Sequence, residues 1–308
     1  MFENKKKTKW YLIGILYTII FAAFVTFIFK DYLISKLVVE NMANKSDWLK
    51  HSFDMYGVII YIIPIYTIIF YATLYLFNLK KVSSKWVISI ETIISIISLV
   101  IIILASMEFE WFKTKNEQNS IEIISALIWY FIVLAYMVCL QSFTYKEKLH
   151  TNKEFLNEII VKTIYAAIMV ALAMLSVEIL KNIFGRPRPR EIFATEDPKS
   201  LFKYAFEINF TKTRSKSFPS GHTTSAATML AMLFFIDFNK NKTQYLLLFI
   251  VSWVGIILTA ISRIMILAHF ATDVTFAIMM SGAYFLAAKP IGDKIIQRIQ
   301  KRGEKQNG

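Results

Sequence analysis

Apolar residues run along this chain in blocks of about twenty, and its charges gather in the stretches between them. The first block, Trp10 to Phe29, contains no charged residue. Seven more follow, near residues 56–79, 86–106, 122–143, 159–180, 219–236, 244–262 and 265–288. Roughly 20 apolar residues are what an α-helix needs to cross a hydrocarbon layer about 30 Å thick. Lipid offers no partner to a free backbone amide, so each crossing segment must be helical. The pattern therefore predicts an all-α integral membrane bundle of about eight transmembrane helices. The block at 219–236 is the shortest, because Asp237 ends it early. Lys5, Lys6, Lys7 and Lys9 before Trp10 give the first block the look of a signal peptide. It is long for one and lacks a small-residue cleavage site, so it reads as a retained helix.

Orientation follows from where lysine and arginine fall. With the N-terminus in the cytoplasm, the inner segments and the C-terminal tail hold 18 of them, against six in the first two outer loops. Both termini then lie in the cytoplasm, as an even number of spans requires. One outer stretch departs from this bias: Lys181 to His222 carries nine cationic residues. A demand for positive charge at that place explains it better than an inverted topology, which would strand the 18 outside.

Composition agrees with this picture. Hydrophobic residues make up 56% of the 308 positions, well above the share in a soluble domain. A net charge of +13 would suggest nucleic acid in a soluble protein, but here the excess flanks apolar runs, so no nucleic-acid partner is expected. Cys139 is the sole cysteine, so no intramolecular disulfide can form.

Three short segments hold the unusual chemistry, and this topology places them at one membrane face. The first runs from Lys181 to Pro189 and contains Arg188. The second is Pro219-Ser220-Gly221-His222. The third holds Ser262, Arg263, His269 and Asp273. A guanidinium fork can hold two phosphate oxygens at once. Ser220 and Gly221 sit where a helix begins, and free amides there favour an anion. His269 and Asp273 are four apart and would share a helix face, so that the carboxylate fixes the imidazole tautomer. Arg186 and Arg190 lie outside these positions and read as surface charges, with contact to a lipid headgroup as the other option. Between the first two segments, Leu201, Phe202, Ala205, Phe206 and Ile208 fall on one helical face after Asp197-Pro198. They predict a short amphipathic helix lying on the outer leaflet or capping the bundle. Lys212, Arg214 and Lys216 follow as a basic strand.

These segments resemble the type-2 phosphatidic acid phosphatase superfamily: a lysine, six residues and Arg-Pro; Pro-Ser-Gly-His; and Ser-Arg, five residues, His, three residues, Asp. The resemblance covers residues 159–288, with a helical, histidine-phosphatase-like core formed by the C-terminal helices. It leaves 1–158 as four helices of unassigned function and 289–308 as a cytoplasmic tail. It implies that His269 attacks phosphorus, Asp273 orients it and His222 protonates the departing oxygen. It implies phosphate contacts from Lys181, Arg188, Ser220, Gly221 and Arg263, with no metal or other cofactor. The expected partners are the bilayer and a phosphorylated lipid, cleaved at the extracytoplasmic face of the cell membrane. A phosphotransferase with a non-water acceptor, or a non-catalytic transport or lipid-binding protein, remains open on these residues alone.

Overall fold

The computed structural model describes residues 2–41, 48–83, 86–90, 92–93, 96–97, 100, 119–208 and 216–307. Among them no strand occurs. The helices are α1 (Phe2–Asn41), α2 (Trp48–Ile59), α3 (Ile62–Leu79), α4 (Asn119–Lys146) and α5 (Lys153–Phe184). After them come α6 (Gly221–Ala227, continued as 3-10 helix over Thr228–Phe235), α7 (Lys242–Met265) and α8 (Ala271–Asn307). Six segments among the described residues are long and apolar enough to cross a membrane: Gly14–Asn41, Lys50–Leu79, Ile123–Lys146, Lys153–Ile192, Lys242–Met265 and Ala271–Arg302. The apolar block at 86–106 lies largely outside the described residues.

The block at 219–236 is helical but short, with seven α-helical and eight 3-10 residues. Every residue from Thr223 to Leu233 is buried. Helices α2, α5, α7 and α8 all touch it, so protein rather than lipid surrounds it and its length need not match the bilayer. Gly57 lets α2 approach. A Cβ at that position would lie 2.9 Å from His222 Cβ and 2.8 Å from Thr259 Cγ2.

Helix boundaries depart from the hydropathy blocks where buried charges are paired. Helix α1 runs through Asp31 to Asn41, and α2 begins at Trp48 and carries Asp54. Both carboxylates are buried, and both have cationic partners. The break between α2 and α3 has its cause in Pro64, which has no N–H to return to the Ile60 carbonyl. That carbonyl accepts instead from Ile63 N at 3.1 Å. Helix α5 starts at Asn152, whose side chain accepts from Phe155 N, and stops at Gly185 in the left-handed region (φ 52°). Helix α8 starts at Ala271 and continues through Pro290 into the stretch expected to be a tail. His269 therefore precedes the helix rather than sharing its face with Asp273.

The amphipathic helix expected after Asp197 is a single turn, Pro198–Leu201. Phe206 then takes φ 67°, which no helix continues through. Aromatic packing overrides the helical period. Phe202 meets Phe270 at 5.5 Å between ring centroids, and Phe206 meets Phe218 at 5.1 Å and Phe276 at 5.3 Å. The segment caps the bundle, although Leu201, Phe206 and Ile208 keep part of their surface exposed. Lys212 and Arg214 lie outside the described residues.

Gly57→Ala should push α2 away from α6 and displace His222. Overpacking of this kind costs about 1–3 kcal/mol. The expected result is a lower melting temperature in detergent, with activity lost in the protein that remains folded.

Candidate active site

Each motif residue is positioned by a helix terminus, and the termini meet at one end of the bundle. Lys181 lies in the last turn of α5. Its Nζ sits 2.9 Å from where a Cβ on Gly221 would be, so a side chain there would push the ammonium away from the start of α6. Gly185 and Pro187 end α5, and Arg188 follows in extended backbone, where its N–H donates to Glu191 Oε2 at 3.2 Å. Ser220 is the N-cap of α6: its Oγ accepts from Thr223 N (3.4 Å) and from Thr223 Oγ1 (3.0 Å). What the hydroxyl retains for an anion is its own proton. Ser220 N donates to the Asp273 carbonyl at 3.1 Å, which ties the second motif to the third.

The connector Ile266–Phe270 between α7 and α8 folds back on α7. Ala268 N and His269 N both donate to the Arg263 carbonyl, at 3.1 and 3.2 Å. His269 is buried, and its Nδ1 lies 2.6 Å from the Ser217 carbonyl. A backbone carbonyl can only accept, so Nδ1 carries the proton there and Nε2 keeps the lone pair. Asp273 Oδ2 stands 3.5 Å from the same Nδ1 and accepts from Phe270 N at 2.8 Å. The expected imidazole–carboxylate pair is present, but the tighter hold on the ring comes from Ser217. No side-chain pattern announces that contact, because it is made by the main chain.

His222 and His269 lie within electrostatic reach of each other, and Lys181 and Arg188 reach both. Arg263 acts on His269 as well. Burial, then the charges of Arg263, Arg188 and Lys181, hold the His269 pKa well below the usual histidine value. The ring in the connector is therefore neutral near pH 7. Lys181, Arg188, Ser220, Gly221, His222, Arg263, His269 and Asp273 thus form one cluster, and cations dominate it.

Residues 162–296 match the family model described as the PAP2 superfamily. Over this segment the chain is similar to the PAP2 superfamily. No curated protein matches the chain, and no solved structure does. The PAP2 segment and the six apolar helices together make this a membrane protein with a phosphatase-type site.

Two carboxylates from outside the PAP2 segment join the site. Asp54 of α2 forms an ion pair with Arg263 Nη1, and its Oδ1 is 3.6 Å from His222 Nε2. Asp31 of α1 meets Arg186. Both could have been suspected from sequence, since a carboxylate beside an apolar run is costly unless it is used. Arg186 is the clear correction: it is no surface charge, being 1% exposed. Its Nε donates to the Lys203 carbonyl (2.8 Å), Nη1 to Thr272 Oγ1 (2.8 Å) and Asp273 Oδ1 (2.6 Å), and Nη2 to Asp31 Oδ2 (2.9 Å). Its guanidinium carbon lies 3.9 Å from the Phe270 ring centroid. Engaged on every nitrogen, it is not available to a headgroup. Arg190 is exposed, and its backbone N–H donates to the Leu267 carbonyl.

Arg186→Ala would leave two buried carboxylates without their shared cation. Breaking a buried pair in this way costs about 3–5 kcal/mol. Thermal unfolding in detergent should show a large loss for Arg186→Ala, whereas Arg190→Ala should stay within about 0.5 kcal/mol of wild type.

Proposed function

We propose that this protein is a membrane lipid phosphatase that hydrolyses a phosphomonoester or diphosphate of a lipid through a phosphohistidine intermediate. The substrate class is a phosphatidate, a phosphatidylglycerol phosphate or an undecaprenyl diphosphate. The observation that carries this reading is the tautomer of His269: Nδ1 held by the Ser217 carbonyl, Nε2 carrying the lone pair, within a cluster of Lys181, Arg188 and Arg263.

In this reading the phosphoryl group lies between the two imidazoles. Lys181, Arg188 and Arg263, with the Ser220 hydroxyl and the Gly221 amide, hold its oxygens and the charge that builds on them. The Nε2 lone pair of His269 forms the N–P bond as the ester P–O bond breaks. The electron pair leaves with the lipid oxygen, which takes a proton from His222. A phosphate dianion beside His222 favours the protonated imidazole that this step needs. Water, deprotonated by the now neutral His222, then attacks phosphorus and frees His269. Cationic side chains supply the charge stabilisation throughout, so the reaction runs without a metal. The distribution of lysine and arginine supports a site on the extracytoplasmic side of the cell membrane, with both termini inside. A site at the end of a bundle lets the acyl or prenyl chain stay in lipid while the headgroup enters.

The test is phosphate release from a panel of lipid phosphates in detergent, with vanadate as competitor. His269→Ala should lower release on the order of 10⁴-fold or more, and His222→Ala by about 10²–10⁴-fold. Turnover that survives His269→Ala would remove the nucleophile assignment, and turnover only with an added acceptor alcohol would make the protein a transferase.

The pH profile provides a separate check. Protonation of His269 consumes its lone pair, and its pKa in the folded protein is lowered. The acid limb of kcat/KM should therefore fall below the ordinary histidine value of about 6.5.

A further inference from the structure

Asp31 stands on α1, about 130 residues before the PAP2 segment begins, yet it is fully buried against the third motif. A carboxylate there must be compensated. Its Oδ1 accepts from Thr272 N at 3.0 Å, and its Oδ2 accepts from the Thr272 hydroxyl and from Arg186 Nη2 at 2.9 Å. Thr272 adjoins Asp273 in the first turn of α8. Arg186 in turn holds Asp273 Oδ1 at 2.6 Å, which leaves Oδ2 to Phe270 N and to the edge of His269. Asp31, Arg186, Asp273 and His269 therefore form one continuous line, and none of the four is more than 2% exposed.

We propose that Asp31 is a positioning residue for the nucleophile, acting through Arg186 and Asp273 on His269. The inference rests on the phosphatase reading above. Its physical content is a charge count. With Asp273 alone, Arg186 would cancel the field that the carboxylate exerts on the imidazole. Asp31 shares the guanidinium, so with both carboxylates ionised the trio carries a net charge of −1 beside His269. That charge stabilises the positive character the ring gains as Nε2 bonds phosphorus. The same residue fixes Thr272 and hence the first turn of α8, so that Asp273 points at the ring. The other charged or titratable groups facing His269 are Lys181 in the last turn of α5, Arg188 after that helix, His222 on α6 and Arg263 on α7. Facing Arg186 beyond the trio is Glu207 of the capping segment. Each of these remains in place when Asp31 is replaced.

The experiment is Asp31→Asn, with Asp31→Ser as a second neutral replacement, measured as full-length protein in detergent. Folded protein is counted from the monodisperse peak in size-exclusion chromatography in detergent. The expected result is a fall in kcat of about tenfold per folded molecule with KM changed less than about twofold, because the charge acts on the bond-forming step. Removal of negative charge also lowers the proton affinity of His269, so the acid limb of kcat/KM should move to lower pH by about half a unit. A merely structural Asp31 would reduce the yield of folded protein and leave both readouts unchanged, and that outcome overturns the proposal. Failure of both neutral variants to fold likewise reduces Asp31 to a structural counter-ion and overturns it. The two readings separate cleanly. Wild-type turnover abolished by His269→Ala, with Asp31→Asn at the wild-type rate and profile, sinks only the role of Asp31. Absence of wild-type phosphate release sinks both.

Discussion

A charge inside an apolar bundle has to be neutralised by another charge, and in this protein that requirement centres on the Arg186 guanidinium. It sits between Asp31 and Asp273 with the Phe270 ring against its face. Taking such ions out of water costs several kcal/mol each, so the arrangement survives only if its hydrogen bonds are complete. Arg186 meets that condition with contacts to three side chains and one backbone carbonyl. The consequence is that α1, the connection after α5 and the start of α8 are locked to one another at the end of the bundle where the imidazoles lie. A second pair, Asp54 with Arg263, does the same for α2 and α7.

Helix termini supply the rest. Within a helix every backbone group is already bonded, so a site that must offer free amides and convergent side chains can be built only where helices stop. Gly185 stops α5 just after Lys181, Ser220 starts α6 just before Gly221 and His222, and the Ile266–Phe270 connector presents His269 between α7 and α8. The cap residues also connect the parts: Ser220 N reaches the Asp273 carbonyl, and the Ser217 carbonyl reaches His269. Capping and the positioning of the motif side chains are therefore the same set of bonds.

Much of the architecture was legible as pattern. Hydropathy predicts helices where α1, α3, α4, α5, α7 and α8 run, because burial in lipid is a property of segment composition. It misplaces the ends at Asp31 and Asp54, because a paired charge costs far less than the isolated charge a hydropathy scan assumes, and at Ala271, because the connector before it folds back onto the Arg263 carbonyl. The amphipathic period through Leu201 to Ile208 also misled. Phe202 and Phe206 are drawn onto Phe270, Phe218 and Phe276 from other elements, and long-range aromatic contacts outweigh a weak local periodicity.

The sequence by itself determined the long apolar helices, the three motifs and the kinds of side chain they bring together, since these depend on composition and short spacing. Only the tertiary structure decided that Arg186 is a buried clamp, that a backbone carbonyl at Ser217 sets the His269 tautomer, and that Asp31 and Asp54 complete a site whose motifs lie more than a hundred residues later. Such pairings are chosen by which charges meet in a low-dielectric interior. That is a matter of three-dimensional proximity, and no local pattern along the chain encodes it.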